Sequence, residues 1–165
     1  MKKGLGTLFL IIGIVIGGFH IYQSIKFTQN CKGYLKQAAD ANTVELALER
    51  LNKAIEYAEK ENLTDGYTSV IYRTENDNVG FWYRNLLACR TELEEGRDGT
   101  QLEKTNLLLK IRESLTDEGE EGTQVIIPVG IARYPMNLFW GIMLLVALTF
   151  LSLGVIFISV DSYYW

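Results

Sequence analysis

Residues 138–160, with the sequence LFWGIMLLVALTFLSLGVIFISV, contain no charged side chain over 23 consecutive positions. A helix rises about 1.5 Å per residue, so this stretch would be about 35 Å long and would cross a hydrocarbon core of about 30 Å. Inside lipid, backbone amides and carbonyls must pair within their own segment, as they do in a helix. We therefore predict a C-terminal transmembrane helix and a short tail over residues 135–165.

A second apolar run, residues 4–21, lies near the N-terminus and follows the basic pair Lys2 and Lys3. A secretory signal peptide begins in the same way, but no pattern of small residues typical of a cleavage site closes this run. We therefore expect an uncleaved anchor over residues 1–26. Because long loops are translocated largely regardless of their charge, we expect both termini in the cytoplasm and the middle segment, residues 27–134, outside it.

Two glycines in the first apolar run, Gly13 and Gly17, are four positions apart. This spacing gives a helix a flat face, which predicts a helix–helix contact in the membrane, with the second anchor as its partner. The alternative is that glycine is simply frequent in membrane helices. The single histidine, His20, lies at the end of the run. We interpret it as an interfacial side chain rather than a functional ionisable group.

The charge balance argues against a nucleic-acid-binding protein. The chain has 16 Lys or Arg against 20 Asp or Glu, and all of these except Lys2, Lys3 and Asp161 lie in residues 26–133. Binding to nucleic acid relies on neutralising phosphates, which an acidic segment does poorly. No cofactor motif, metal-ligand spacing or His-based catalytic set is recognisable, so we expect no cofactor, no bound metal and no enzymatic activity.

The middle segment has the hydrophobic periodicity of three helices, which we place at residues 43–61, 77–95 and 100–116. The clearest pattern lies on the first of them, where one face carries Val44, Ala47, Leu48, Leu51, Ala54, Ile55 and Ala58. We therefore predict a mainly α membrane protein, in which two transmembrane helices flank a small antiparallel helical bundle.

Two short segments of the middle region are rich in β-branched and aromatic residues, which favours extended structure. These are residues 66–73 and 125–129, and we expect Val70 and Ile71 to pair with the second segment in a minor two-stranded patch. Residues 117–122 are acidic and contain glycine, so we interpret them as a flexible loop.

The two cysteines, Cys31 and Cys89, both lie on apolar helix faces. A bundle can bring such faces together, so the pair is a candidate disulfide. Such a bond requires an oxidising compartment and therefore an extracytoplasmic middle segment. The alternative is two buried free thiols, which behave as ordinary small core residues.

Three consecutive aromatic residues, Phe81, Trp82 and Tyr83, fall on a predicted helix. Because neighbouring helical residues point about 100° apart, the three rings cannot all face one core. Trp82 and Tyr83 lie with the apolar face and Phe81 does not. Either residues 66–73 cover Phe81, which we favour, or its ring is exposed to a partner or to the membrane surface.

In layout, the chain resembles bacterial receptors that carry a helical sensor bundle between two membrane helices. Those receptors have a large output domain after the second helix, whereas only residues 161–165 follow here. We therefore expect an accessory or scaffolding protein that contacts membrane lipid and binds a protein partner or itself. The alternative is a homo-oligomeric pore, for which Thr149, Ser152 and Ser159 are the polar positions of the second anchor.

Overall fold

The computed structural model describes residues 2–119 and 122–163. The described residues fall into two compact units, one within Met1–Ile25 and Met136–Trp165, the other within Lys26–Pro135. We call them the paired-helix unit and the middle unit. The main elements, in chain order, are α1 (Lys2–Phe27), α2 (Gly33–Ala39), α3 (Val44–Lys60), α4 (Val79–Glu95), α5 (Gln101–Leu115), β1 (Thr116–Gly119), β2 (Gly122–Val125) and α6 (Asn137–Tyr163).

The paired-helix unit consists of α1 and α6, which have the length and the apolar composition needed to cross a membrane. The two helices are antiparallel, because Phe9 contacts Phe150 while Phe19, ten residues later, stacks on Trp140, ten residues earlier. Large apolar side chains cover the outside of this pair; they include Ile11, Ile14, Val15, Leu145, Leu148, Val155 and Ile156. An apolar exterior of this kind is typical of helices that face lipid.

The three helices predicted for the middle unit are present as α3, α4 and α5, with ends within two residues of the expected bounds. Side-chain caps determine where they begin. The Thr43 hydroxyl accepts a hydrogen bond from the Leu46 amide at the start of α3. Thr100 and Glu103 form a reciprocal capping box at the start of α5. Such caps satisfy amides that have no partner within the helix.

The core of the middle unit is built around α3. Its inward face is the predicted one: the buried residues are Val44, Ala47, Leu51, Ala54, Ile55 and Ala58. The alanines on this face let neighbouring backbones approach closely, and larger side chains fill the space beside them. The fully buried large side chains include Leu35 from α2, Leu86 and Leu93 from α4, and Ile111 and Leu115 from α5.

The small sheet differs from the predicted one. Strand β1 pairs antiparallel with β2, with Thr116 opposite Val125 and Gly119 opposite Gly122. The prediction that Val70 and Ile71 pair with residues 125–129 is wrong. Residues 117–119 and Gly122, interpreted as part of a flexible loop, lie in strands, and Glu120 and Glu121 lie outside the described residues. Pairing two segments that are neighbours in sequence costs much less loop-closure entropy than pairing segments more than fifty residues apart.

Candidate contact sites

The ring of Phe81 is 63% exposed, so the expectation that residues 66–73 cover it is wrong. Asn78 begins α4, and its side-chain oxygen accepts a 2.9 Å hydrogen bond from the Phe81 amide. Val79, Gly80 and Trp82 around it are buried. Because these neighbours fix the rotation of α4 about its axis, the helix cannot turn to bury Phe81 without exposing Trp82.

Residues 62–78, which we call the 62–78 loop, connect α3 to α4. Close to α4 the loop is held by backbone bonds: the amide of Val79 donates to the carbonyl of Gly66, and that of Thr68 donates to the carbonyl of Asp77. Gly66 has φ +90°, a conformation that glycine adopts without strain. These bonds hold the base of the loop, residues 65–68 and 77–78, in place.

The start of the loop, together with Glu61 just before it, contacts both points at which the chain leaves the middle unit. Lys26, at the first point, forms a 2.8 Å ion pair with Glu61 at the end of α3. Tyr134, at the second, donates a 2.7 Å hydrogen bond from its hydroxyl to the carbonyl oxygen of Asp65. Both exits from the middle unit therefore lie at the end of the unit that carries the 62–78 loop.

The tip of the loop is not a strand and exposes three adjacent apolar or aromatic side chains. Ile71 is 97% exposed and Tyr72 is 77% exposed, and Val70 before them is about half exposed. The next residue, Arg73, places its guanidinium carbon 5.1 Å from the centre of the Tyr67 ring. The tip therefore combines aliphatic, aromatic and cationic groups outside the core.

Both cysteines are buried free thiols, so the predicted Cys31–Cys89 disulfide is not formed in this structure. The reason is their different surroundings. The Cys31 sulfur lies 3.9 Å from the carbonyl oxygen of Ala54 on α3, whereas Cys89 interacts with the side chain of Ser114 on α5. Burial raises the pKa of the Cys31 thiol to about 12 and also raises that of Cys89.

The two glycines of the predicted membrane contact have different surroundings. A Cβ atom at Gly13 would lie 2.7 Å from the Leu151 side chain and 3.1 Å from the Ala147 carbonyl oxygen, both on α6. A Cβ atom at Gly17 would meet none of the described atoms within 4 Å. Gly6, seven residues before Gly13, is a second position of close approach, where a Cβ atom would lie 3.0 Å from the Ile158 side chain and 3.1 Å from the Gly154 carbonyl oxygen.

The contact between α1 and α6 therefore repeats every seven residues and not every four. Sequence reasoning missed Gly6 and Gly154 because it considered the four-residue spacing alone. The signal was present, since Gly6 and Gly13 are seven apart, as are Ala147 and Gly154 on α6. Helices that cross at a small angle meet on one face with about this period.

The polar residues of the paired-helix unit make local contacts. The ring of His20 lies edge-on to that of Trp140, with their centres 6.5 Å apart. The hydroxyls of Thr149 and Ser152 donate to the carbonyls of Leu145 and Thr149, respectively, within α6. These two hydroxyls therefore satisfy backbone groups of their own helix.

One groove of about 340 Å³ lies in the middle unit, between the start of α3 and the side of α5. Its wall includes Val44, Glu45, Leu108, Leu109 and Arg112. Among residues 2–119 and 122–163, no group of three or more His, Cys, Asp or Glu side chains lies in a position to hold a metal ion. The wall of this groove combines apolar side chains with charged ones such as Glu45 and Arg112.

The sequence matches no family model, and it matches neither a curated protein nor a solved structure.

Proposed function

We propose that this is a two-pass membrane protein whose middle unit binds a protein partner in an accessory or scaffolding role. The length and the apolar composition of α1 and α6 support the membrane part of the proposal. Because these helices are antiparallel, both chain termini would lie on one side of the membrane. We place the termini in the cytoplasm and the middle unit outside it, following the tendency of long loops to be translocated.

The exposed ring of Phe81 is the observation that carries the binding role. Aromatic residues supply much of the energy at protein interfaces, because one rigid ring removes a large apolar area from water. Its buried neighbours, Val79 and Trp82, hold α4 in place, so the exposed position does not depend on a mobile segment. A partner that covered the ring would meet a preformed site, which lowers the entropy cost of binding.

Chemical cross-linking in the native membrane, followed by purification of the full chain, tests this proposal. We expect Phe81→Ser to reduce cross-linking to a partner at least tenfold, while the thermal midpoint of the purified protein stays unchanged. The matched control is Leu102→Ser, because Leu102 is 71% exposed but lies in the first turn of α5. It should leave cross-linking intact.

Two results would argue against the role of Phe81. One is equal cross-linking by wild type and Phe81→Ser. The other is a large fall in the thermal midpoint of Phe81→Ser, which would make the ring part of the core. The mass of the complex in nanodiscs then separates a different protein partner from self-association. A ring of identical subunits would support the pore alternative.

A further inference from the structure

We propose that the tip of the 62–78 loop, formed by Val70, Ile71 and Tyr72, inserts into the interfacial layer of the membrane. This inference rests on the proposed membrane-spanning role of α1 and α6. It adds a third membrane contact, made by a loop between the two spans in sequence. The lipid bilayer itself would cover the apolar side chains of this tip.

The position of the loop base is the first argument. Glu61 and Asp65 contact Lys26 and Tyr134, which lie at the two points where the chain leaves the middle unit. Tyr134 precedes the start of α6, Asn137, by three residues, and three residues span at most about 11 Å. If α6 crosses a bilayer from Asn137 onwards, the bilayer surface is therefore within about 11 Å of the Tyr134 backbone, and the Tyr134 hydroxyl is bonded to the loop base.

The reach of the tip is the second argument. Ile71 follows Asp65 by six residues, so an extended chain would reach at most about 20 Å beyond the base. The headgroup layer on each side of the hydrocarbon core is about 5–8 Å thick, since the whole bilayer is about 40–45 Å and its core about 30 Å. The tip is thus long enough to enter this layer.

The chemistry of the tip is the third argument. A nearly fully exposed Ile71 is unfavourable in water, at about 25 cal/mol per Å² of apolar surface, and lipid removes this cost. Tyrosine is enriched at the membrane interface because its ring is apolar and its hydroxyl is polar. Arg73 follows directly and is suited to contact lipid phosphates.

The acidic groups near the tip do not oppose this placement. Asp77 is held at the base of the loop, where its carboxylate accepts hydrogen bonds from Thr74 and from the Thr68 hydroxyl. Glu75, in the same short turn, lies on the α4 side of the tip. No acidic residue lies between Val70 and Thr74, the stretch that contains the tip and Arg73.

Depth measurement by spin labelling tests the proposal with the full chain in nanodiscs of phosphatidylcholine and phosphatidylglycerol. Three single variants each carry one nitroxide: Ile71→Cys at the tip, Leu145→Cys in α6, and Leu102→Cys as an exposed apolar control. Collisions of the nitroxide with oxygen report lipid, and collisions with a water-soluble nickel chelate report water. The native thiols are buried, so labelling is directed to the introduced cysteine.

The control position is far from the loop within the middle unit. Lys110 of α5 pairs with Glu92 of α4. Glu92 is 13 residues, or about 20 Å of helix, away from Val79, where the 62–78 loop joins α4. Leu102 lies two further turns towards the start of α5. We therefore expect its label to collide mainly with the nickel chelate.

We expect the labels at Ile71 and Leu145 to collide more often with oxygen than with the nickel chelate, and the label at Ile71 to lie at a shallower depth. If the Ile71 label favours the nickel chelate as strongly as the Leu102 label, the proposal is overturned while the membrane span stands. If the Ile71 label is protected from both reagents, a protein and not lipid covers the tip, which also overturns it. If the Leu145 label favours the nickel chelate, α6 does not span the bilayer and the proposed function fails first.

Discussion

The hydroxyl of Tyr134 donates a 2.7 Å hydrogen bond to the carbonyl oxygen of Asp65, which lies 69 residues earlier in the chain. The bond joins the segment leading into α6 to the base of the 62–78 loop. Its removal should cost about 1 kcal/mol, the usual net value of one hydrogen bond in a folded protein. It should also loosen the loop, because the loop base then loses one of its two contacts to the chain exits.

The Tyr134→Phe variant tests this bond. We expect a lower thermal midpoint and faster hydrogen exchange at the backbone amides of residues 66–79, measured by mass spectrometry on the full chain. Tyr34→Phe is the matched control, since Tyr34 lies on α2, outside the loop, with the Lys53 ammonium over its ring. Equal exchange in the two variants would mean that the Tyr134 hydroxyl does not hold the loop.

The buried face of α3 gives a prediction about stability. Leu51 is completely buried at the centre of this face. Leu51→Ala should lower the free energy of unfolding by about 2–5 kcal/mol, through lost transfer energy and the cavity left behind. Glu49→Ala is the control: Glu49 is exposed and pairs with Lys53, four residues later, at 2.9 Å. This variant should leave the free energy of unfolding nearly unchanged, because surface ion pairs contribute little to stability. A similar cost for both would show that the helix is rotated differently.

The different surroundings of Gly13 and Gly17 predict a difference between two otherwise matched substitutions. Gly13→Ile should separate α1 from α6, because the added side chain would overlap Leu151. Overpacking of this kind typically costs about 1–3 kcal/mol. Gly17→Ile should have little effect, since its Cβ position is open.

Cysteine cross-linking provides the measurement for the glycine pair. With Phe9→Cys and Phe150→Cys introduced together, a short bifunctional thiol reagent should link α1 to α6, because the native ring centres are 5.2 Å apart. Gly13→Ile should slow this reaction at least fivefold, and Gly17→Ile should not. If Gly17→Ile alone slowed it, the contact face would be centred on Gly17.

The buried thiols predict a specific pattern of alkylation. Burial raises the pKa of Cys31 to about 12, and Cys89 is also above its ordinary value, so little reactive thiolate exists at neutral pH. We expect neither cysteine to be alkylated in the folded protein. Both should be alkylated after unfolding without a reductant. Mass spectrometry that found no added groups after unfolding would instead support the Cys31–Cys89 disulfide.

The pair formed by Tyr83 and Glu59 predicts a loss of stability in alkali. The Tyr83 hydroxyl donates a 2.6 Å hydrogen bond to the Glu59 carboxylate. Burial, followed by this bond, raises the pKa of Tyr83 from 10 to about 12. The folded state then holds this proton more tightly than the unfolded state does. The stabilisation is complete below pH 10 and is lost as the pH rises towards about 12.

Thermal unfolding of wild type and Tyr83→Phe over this pH range measures the effect. The wild-type midpoint should fall more steeply between pH 10 and about 12 than the midpoint of the variant, which has no proton to lose at this position. Cys31 and Cys89 are unchanged in both proteins, so their titration cancels in the comparison. Parallel curves would show that Tyr83 titrates alike in the folded and unfolded states.

The helices follow from local sequence patterns. Residues 138–160 are long and apolar enough to cross a membrane, and the 3–4 spacing around Leu51 is typical of a helix with one buried face. The capping box of Thr100 and Glu103 likewise needs only residues that are close in the chain. Each of these patterns involves residues within a few turns of helix, so it can be recognised without a tertiary structure.

Which surfaces meet depends on contacts between residues that are far apart in the chain. The strand prediction for Val70 and Ile71 was wrong. Their composition favours strands but does not specify which segment they pair with, and β2 pairs instead with β1, which is close to it in the chain. Similarly, two apolar helix faces do not determine whether Cys31 and Cys89 meet, and each lies against a different helix. The exposure of Phe81 and Ile71 depended on where the 62–78 loop runs, and contacts with Lys26 and Tyr134, distant in sequence, hold its base. Local propensity therefore determined the elements, whereas packing between residues far apart in the chain determined which side chains are exposed.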